Sequence, residues 1–184
     1  DLGDPNIVDY ANSPFRSELM DIFLATYCSF GISCGTGSCH VAYLNRKPMV
    51  DLNANLHHLY TYNKNSILLS KHYFLKDKKR NLNLSEILSY KENDLRRREQ
   101  LDEKGIQMID CTPKEISDAV DEIFLRLNGK WIDNDLIISL QNKFKNHKWQ
   151  NIYRLMGTKK NFYHGEIKSS YSSKFLLNNK SWLD

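Results

Sequence analysis

The sequence has no apolar run near the roughly 20 residues a helix needs to cross a bilayer, so no transmembrane helix is expected. It has no CxxC pair. Its four cysteines are Cys28, Cys34, Cys39 and Cys111, and the Cys34 to Cys39 spacing fits no common zinc pattern. Reduced thiols in a cytosolic protein are therefore expected. No metal site is expected either, since the pair His57-His58 has no third ligand beside it. There is no internal repeat and no low-complexity tract. Asp1-Leu2-Gly3-Asp4-Pro5 lacks the basic region and apolar stretch of a signal peptide. It also lacks an initiating Met, and we expect a piece of a longer protein or a processed product. The net charge of +4 is mild and does not call for nucleic acid. Lys76 to Arg80 and Arg96 to Arg98 are basic, but no aromatics are interleaved for base stacking. They read as a solvated loop and a solvated helix face.

What is present suits one domain: 184 residues, 41% of them hydrophobic. Ile7 to Ala11 reads as a short strand, and Ser13-Pro14 as a helix start carrying Phe15, Leu19, Ile22 and Phe23 on one stripe. Ser29 to Cys34 is a short apolar run bounded by glycine, read as a buried strand. Ser38 to Asn45 is read as a helix with Val41, Ala42 and Leu44 inward, and Pro48 to Leu52 as another strand. This alternation predicts an α/β fold with a parallel sheet and crossover helices. Ile67 to Leu69 reads as a strand, Leu84 to Tyr90 as a helix started by Asn83, and Asn93 to Lys104 as a charged helix. Gly105 to Asp110 reads as a strand. Thr112-Pro113-Lys114-Glu115 is a capping-box pattern opening a helix with Ile116, Ala119, Val120, Ile123, Phe124 and Leu127 on one face. Asn128-Gly129 ends it. Asp133 to Lys145 is a helix with Leu136, Leu140 and Phe144 four apart, Gly157 to Gly165 a loop, and Lys168 to Asn178 a last helix. We expect residues 1–132 to form the sheet domain and 133–184 a helical segment packed on it.

The turn Gly35-Thr36-Gly37-Ser38 joins a predicted strand to a predicted helix. Glycines let a backbone approach an anion, the first helical N–H groups point at it, and Thr36 and Ser38 add hydroxyls. Gly-x-Gly alone is a weak signal, and neither the dinucleotide fingerprint nor the P-loop is present. Read alone, the turn is at least as well explained as a strand–helix joint. In an open α/β sheet, however, it falls at the carboxyl ends of the strands, where ligands bind.

The run Thr36-Gly37-Ser38-Cys39-His40-Val41-Ala42, followed by Pro48, resembles the donor-binding half of GT-B glycosyltransferases, heptosyltransferases in particular. Gly35 stands where that pattern has Asp. Asp9-Tyr10-Ala11-Asn12-Ser13, Phe15-Arg16-Ser17, Met20-Asp21-Ile22, Lys47-Pro48, Lys71-His72-Tyr73 and His164-Gly165-Glu166-Ile167 more closely resemble a family of bacterial proteins assigned as glycosyltransferases and linked to surface polysaccharide genes. The likeness covers nearly the whole chain, and family members are about twice as long.

The resemblance implies a Rossmann-like parallel sheet with flanking helices, the C-terminal half of a GT-B fold. It implies a transferase taking a sugar from a nucleotide-diphosphate sugar to a saccharide acceptor, with the nucleotide sugar as substrate and no further cofactor. It places Gly35, Thr36, Gly37 and Ser38 around the diphosphate, with Asn53 near the nucleotide or sugar. Arg16 would neutralise phosphate, against a surface ion pair as its plainer role. Asp21 would accept from sugar or ribose hydroxyls, against a solvated or capping carboxylate. His40 would stabilise the leaving nucleotide, and His164 would serve acid–base chemistry. A half-buried structural histidine remains open for His40. The general base and acceptor site would belong to a missing N-terminal domain, and the chain would be cytoplasmic, with at most peripheral association with the inner face of the membrane. Two alternatives stand beside this: a nucleotide-sugar 2-epimerase-like enzyme, and a non-catalytic sugar-nucleotide-binding module.

Overall fold

The computed structural model describes residues 3–56, 63–90, 95, 97–147 and 168–184. Four strands form a parallel sheet: β1 (Gly31–Ser33), β2 (Met49–Ala54), β3 (Ile67–Ser70) and β7 (Ser170–Tyr171), in the order β1-β2-β3-β7. A second sheet is antiparallel: β4 (His72–Leu75) lies between β5 (Arg80–Asn81) and β6 (Ile106–Ile109). The helices are α1 (Glu18–Tyr27), α2 (Cys39–Leu44), α3 (Leu84–Ser89), α4 (Arg98–Glu103), α5 (Pro113–Leu127), α6 (Asp135–Lys145) and α7 (Ser173–Asn178). The chain is thus α/β, with a parallel sheet flanked by helices in a Rossmann-like arrangement. None of the helices among the described residues is long and apolar enough to cross a membrane.

Central parallel strands are covered on both faces, so they read as continuous apolar runs rather than alternating ones. β3 is buried at all four positions and β2 at its first four. Val50, Leu52, Ile67 and Leu69 pack in one core with Ala119 and Ile123 of α5, Phe144 of α6 and Tyr171, Phe175 and Leu176. The residues 133–184 contribute a strand as well as helices: Ser170 N–H donates to Ser66 O at 3.1 Å, and Ser172 N–H to Leu68 O at 2.9 Å. The helix expected from Lys168 therefore starts only at Ser173, because the residues before it pair with β3.

The caps follow the sequence. Asn83 and Thr112 each accept from the N–H three residues on, and Glu86 and Glu115 reciprocate. The second sheet was not expected. Of Lys76 to Arg80, read as a charged loop, residues 76–79 form the hairpin turn between β4 and β5, with Lys79 at φ +49, and Arg80 already belongs to β5. Through Lys71, β3 runs straight on into β4, so one extended segment serves both sheets.

The N-terminal part departs most from expectation. Residues 7–11 form no strand; a 3-10 turn at Tyr10–Asn12 follows Asp9. The helix begins after Ser17, whose hydroxyl accepts from Met20 N–H at 3.2 Å, and not at Ser13-Pro14. The predicted stripe is bare: Phe15 is 72% exposed and Leu19 77%, and α1 buries no residue. Among the described residues β1 is the edge of the sheet, with no strand paired beyond it. In α2 the inward residues are Cys39, Ala42 and Tyr43, while Leu44 is exposed. In α6, Ile137 and Gln141 join Leu140 and Phe144 inside, and Leu136 is exposed. Phe124 and Leu127 likewise end exposed on α5.

Candidate functional site

The strands β1, β2, β3 and β7 run the same way, so their carboxyl ends share one edge. Gly35-Thr36-Gly37-Ser38 leaves β1 at that edge and enters α2. Ser33, the last residue of β1, is in register with Asp51, so the turn begins where β2 still runs on to Ala54. Ser33 Oγ accepts from Gly35 N–H at 3.1 Å and tightens the turn. Gly35 sits at φ +79, a conformation that disfavours any side chain, whereas a Cβ at Gly37 would meet nothing within 4 Å. The Thr36 and Ser38 hydroxyls lie 3.1 Å apart, and Thr36 O accepts the Cys39 N–H at 3.2 Å.

His40 is exposed, with Nδ1 2.9 Å from Gly37 O. A carbonyl oxygen only accepts, so Nδ1 carries the proton, and Nε2 is the basic nitrogen of the neutral ring. The histidine is the second residue of α2 and is bonded back to the turn it follows.

Beneath the turn lies an acid that sequence reading passed over. Asp51 is 3% exposed, accepts from the Tyr43 hydroxyl of α2, and leaves Oδ2 without a hydrogen-bond partner. Burial pushes its carboxyl up to about 6, and the Tyr43 hydroxyl offsets only part of that. It stands inside the strand read from Pro48 to Leu52, and strand spacing alone does not say that an acid there loses its water.

Asn53 sits at φ +50, where the β2–β3 register shifts, and its Oδ1 accepts from Cys111 N–H at 2.7 Å. It therefore staples the end of β2 to the loop after β6. Cys111 is buried, its thiol 3.2 Å from Ser70 O, and burial pushes that thiol up to about 11, which leaves it protonated near neutrality. Asp21 accepts from the Tyr10 hydroxyl at 2.6 Å, and Tyr10 also bonds Ser17, so this carboxylate clasps the 3-10 turn to α1. Arg16 is exposed just ahead of that helix. His164 and the His57-His58 pair lie outside the described residues. Among the described residues no group of three or more His, Cys, Asp or Glu side chains gathers where a metal could sit.

A second concentration of chemistry lies past the carboxyl end of β3. His72 Nε2 and the Glu115 carboxylate are 3.1 Å apart, and both side chains are largely buried. Burial works against the charge on Glu115, yet the Thr112 N–H and hydroxyl and the His72 ring together hold its carboxyl below the usual range. His72 borders a cavity of about 450 Å³ with Phe175 and Trp182 among its walls. Sequence reading noted Lys71-His72-Tyr73 only as part of a resemblance. Glu115, already accounted for as a capping residue, gave no sign that it also faces a histidine 43 positions earlier.

No family model, no curated protein and no solved structure matches this chain.

Proposed function

We propose that this chain is the donor-binding half of a GT-B-type glycosyltransferase, which holds a nucleotide-diphosphate sugar at the turn Gly35 to Ser38. One observation carries the reading: the glycine turn leaves β1 at the carboxyl edge of a parallel sheet, beside the central strand β2. With six residues α2 has little macrodipole, so the turn's own amides and the Thr36 and Ser38 hydroxyls do most of the work on the diphosphate. In the protonated ring, Nε2 of His40 donates to a phosphate oxygen as charge builds on the leaving group. The sugar C1–O bond to the diphosphate breaks, a bond from C1 to an acceptor hydroxyl forms, and the hydroxyl proton passes to a base. That base and the acceptor saccharide belong to a second domain, and the bare apolar stripe of α1 supports a domain seated beside it. The product is a surface polysaccharide precursor made on the cytoplasmic side of a membrane.

A thermal-shift panel of nucleotide-diphosphate sugars tests the reading. At least one should raise the melting temperature, with nucleoside monophosphates weaker. Gly37→Val should abolish the shift without lowering the melting temperature of the free protein, since the added side chain enters open space. A panel in which no nucleotide sugar stabilises the protein, or in which Gly37→Val keeps the full shift, would refute donor binding at this turn.

A further inference from the structure

We propose that the cavity between β4, β5, α7 and the final 3-10 turn, Lys180–Leu183, binds a neutral sugar ring. The volume of about 450 Å³ falls in the usual range of small-ligand sites. Phe175 and Trp182 meet at 88° with ring centroids 5.2 Å apart; Phe175 is buried behind, and the half-buried Trp182 ring supplies the apolar wall. The C–H face of a pyranose stacks on such a surface, while its hydroxyls stay at the rim. Asn81 and Ser181 line the same space, and their side chains make no hydrogen bond among the described residues. His72, its Nε2 held by Glu115, lines the third side.

The charges decide against an ionic ligand. The Lys, Arg and Asp side chains at the cavity are already paired, Lys71 with Asp110 at 2.5 Å, Arg80 with Glu86 at 2.5 Å and Asp184 with Lys143 at 2.7 Å, and His72 faces Glu115 at 3.1 Å. A phosphate would meet cations already neutralised by Asp110 and Glu86, whose carboxylates repel it. A neutral polyol breaks none of these pairs and finds free amide and hydroxyl groups. The proposal does not use the glycine turn and stands or falls independently of donor binding there.

Titration of the ¹⁵N-labelled chain tests it, followed at the Trp182 indole N–H, which is identified by its loss in Trp182→Phe. Glucose, galactose and N-acetylglucosamine are added at millimolar concentration, with inorganic phosphate and adenosine monophosphate as ionic probes. At least one sugar should move the Trp182 signal saturably, and the two anions should not. Asn81→Tyr fills the cavity from an exposed two-residue edge strand and should weaken sugar binding about tenfold or more while the spectrum stays dispersed. Gly37→Val should leave the sugar titration unchanged. No response to any sugar, a stronger response to phosphate or the nucleotide, unaltered binding in Asn81→Tyr, or loss of binding in Gly37→Val would each overturn the proposal. Failure of the nucleotide-sugar panel alongside a Trp182 response would sink donor binding and leave this site standing.

Discussion

Asp51 makes stability depend on pH in a direction opposite to that of an ordinary salt-bridged carboxylate. Its folded-state value is about 6, against 3.8 for the unconstrained side chain, and burial is the main cause. A raised value means that the folded state holds the proton more tightly than the unfolded chain. Below 3.8 both states are protonated, and Asp51 costs nothing. As pH rises from there, the unfolded chain ionises first, and stability falls until the folded carboxyl also ionises near 6. Above that the full cost, about 3 kcal/mol, is present and constant. The side chain is only 3% exposed, so solvent screens little of it. Asp51→Asn cannot ionise, and Tyr43 can still donate to its amide oxygen. Urea unfolding of both proteins should therefore show wild type losing about 3 kcal/mol relative to Asp51→Asn between pH 3.5 and pH 7.5. Taking the difference between the proteins cancels every other titrating group. A difference that stays flat across that range, or grows in favour of wild type as pH rises, would show that Asp51 is not buried as an isolated acid.

Two comparisons probe the rest of the frame. Gly35→Ala forces a side chain onto φ +79 and should cost about 1–2 kcal/mol, whereas Gly37→Ala meets nothing and should be neutral or slightly stabilising. For a chain of this size the first change should lower the melting temperature by about 2–8 °C in calorimetry. The buried Glu122 accepts from Ser173 N–H and Ser173 Oγ, both at 2.7 Å, and pairs with Arg126 at 2.8 Å. Glu122→Ala strands those donors and should cost about 3–5 kcal/mol, with amide exchange in α7 accelerated first. Thr112→Ala removes one cap and should cost only about 1 kcal/mol.

Local rules were legible wherever the physics is local. Asn83 and Thr112 announce their helices because a cap is satisfied within four residues. Strands β1, β2 and β3 could be read because apolar runs bounded by glycine, proline or charge have few other uses. The glycine turn was found for the same reason. Strands β4, β5 and β7 were not, since two- to four-residue segments owe their form to a partner far along the chain. Tyr171 is the clearest case: its hydroxyl bonds Ser70, 101 positions away, and its ring stacks with Phe144 and Trp182. Helical spacing also misled at α1, where a stripe from Leu19 to Phe23 predicts a buried face and the structure leaves it bare, because periodicity says which residues share a face and not whether anything covers it.

The amino-acid sequence by itself therefore determined the α/β class, the strands β1, β2 and β3 and the turn between β1 and α2, all set by hydrophobic period, caps and glycine conformation. Only the tertiary structure decided that β3 runs on into a second, antiparallel sheet, that Asn53 and Asp21 serve as staples, that Asp51 loses its water, and that His72 meets Glu115 beside an aromatic cavity. Each of these depends on pairing or desolvation between distant segments, and no spacing rule along the chain carries that information.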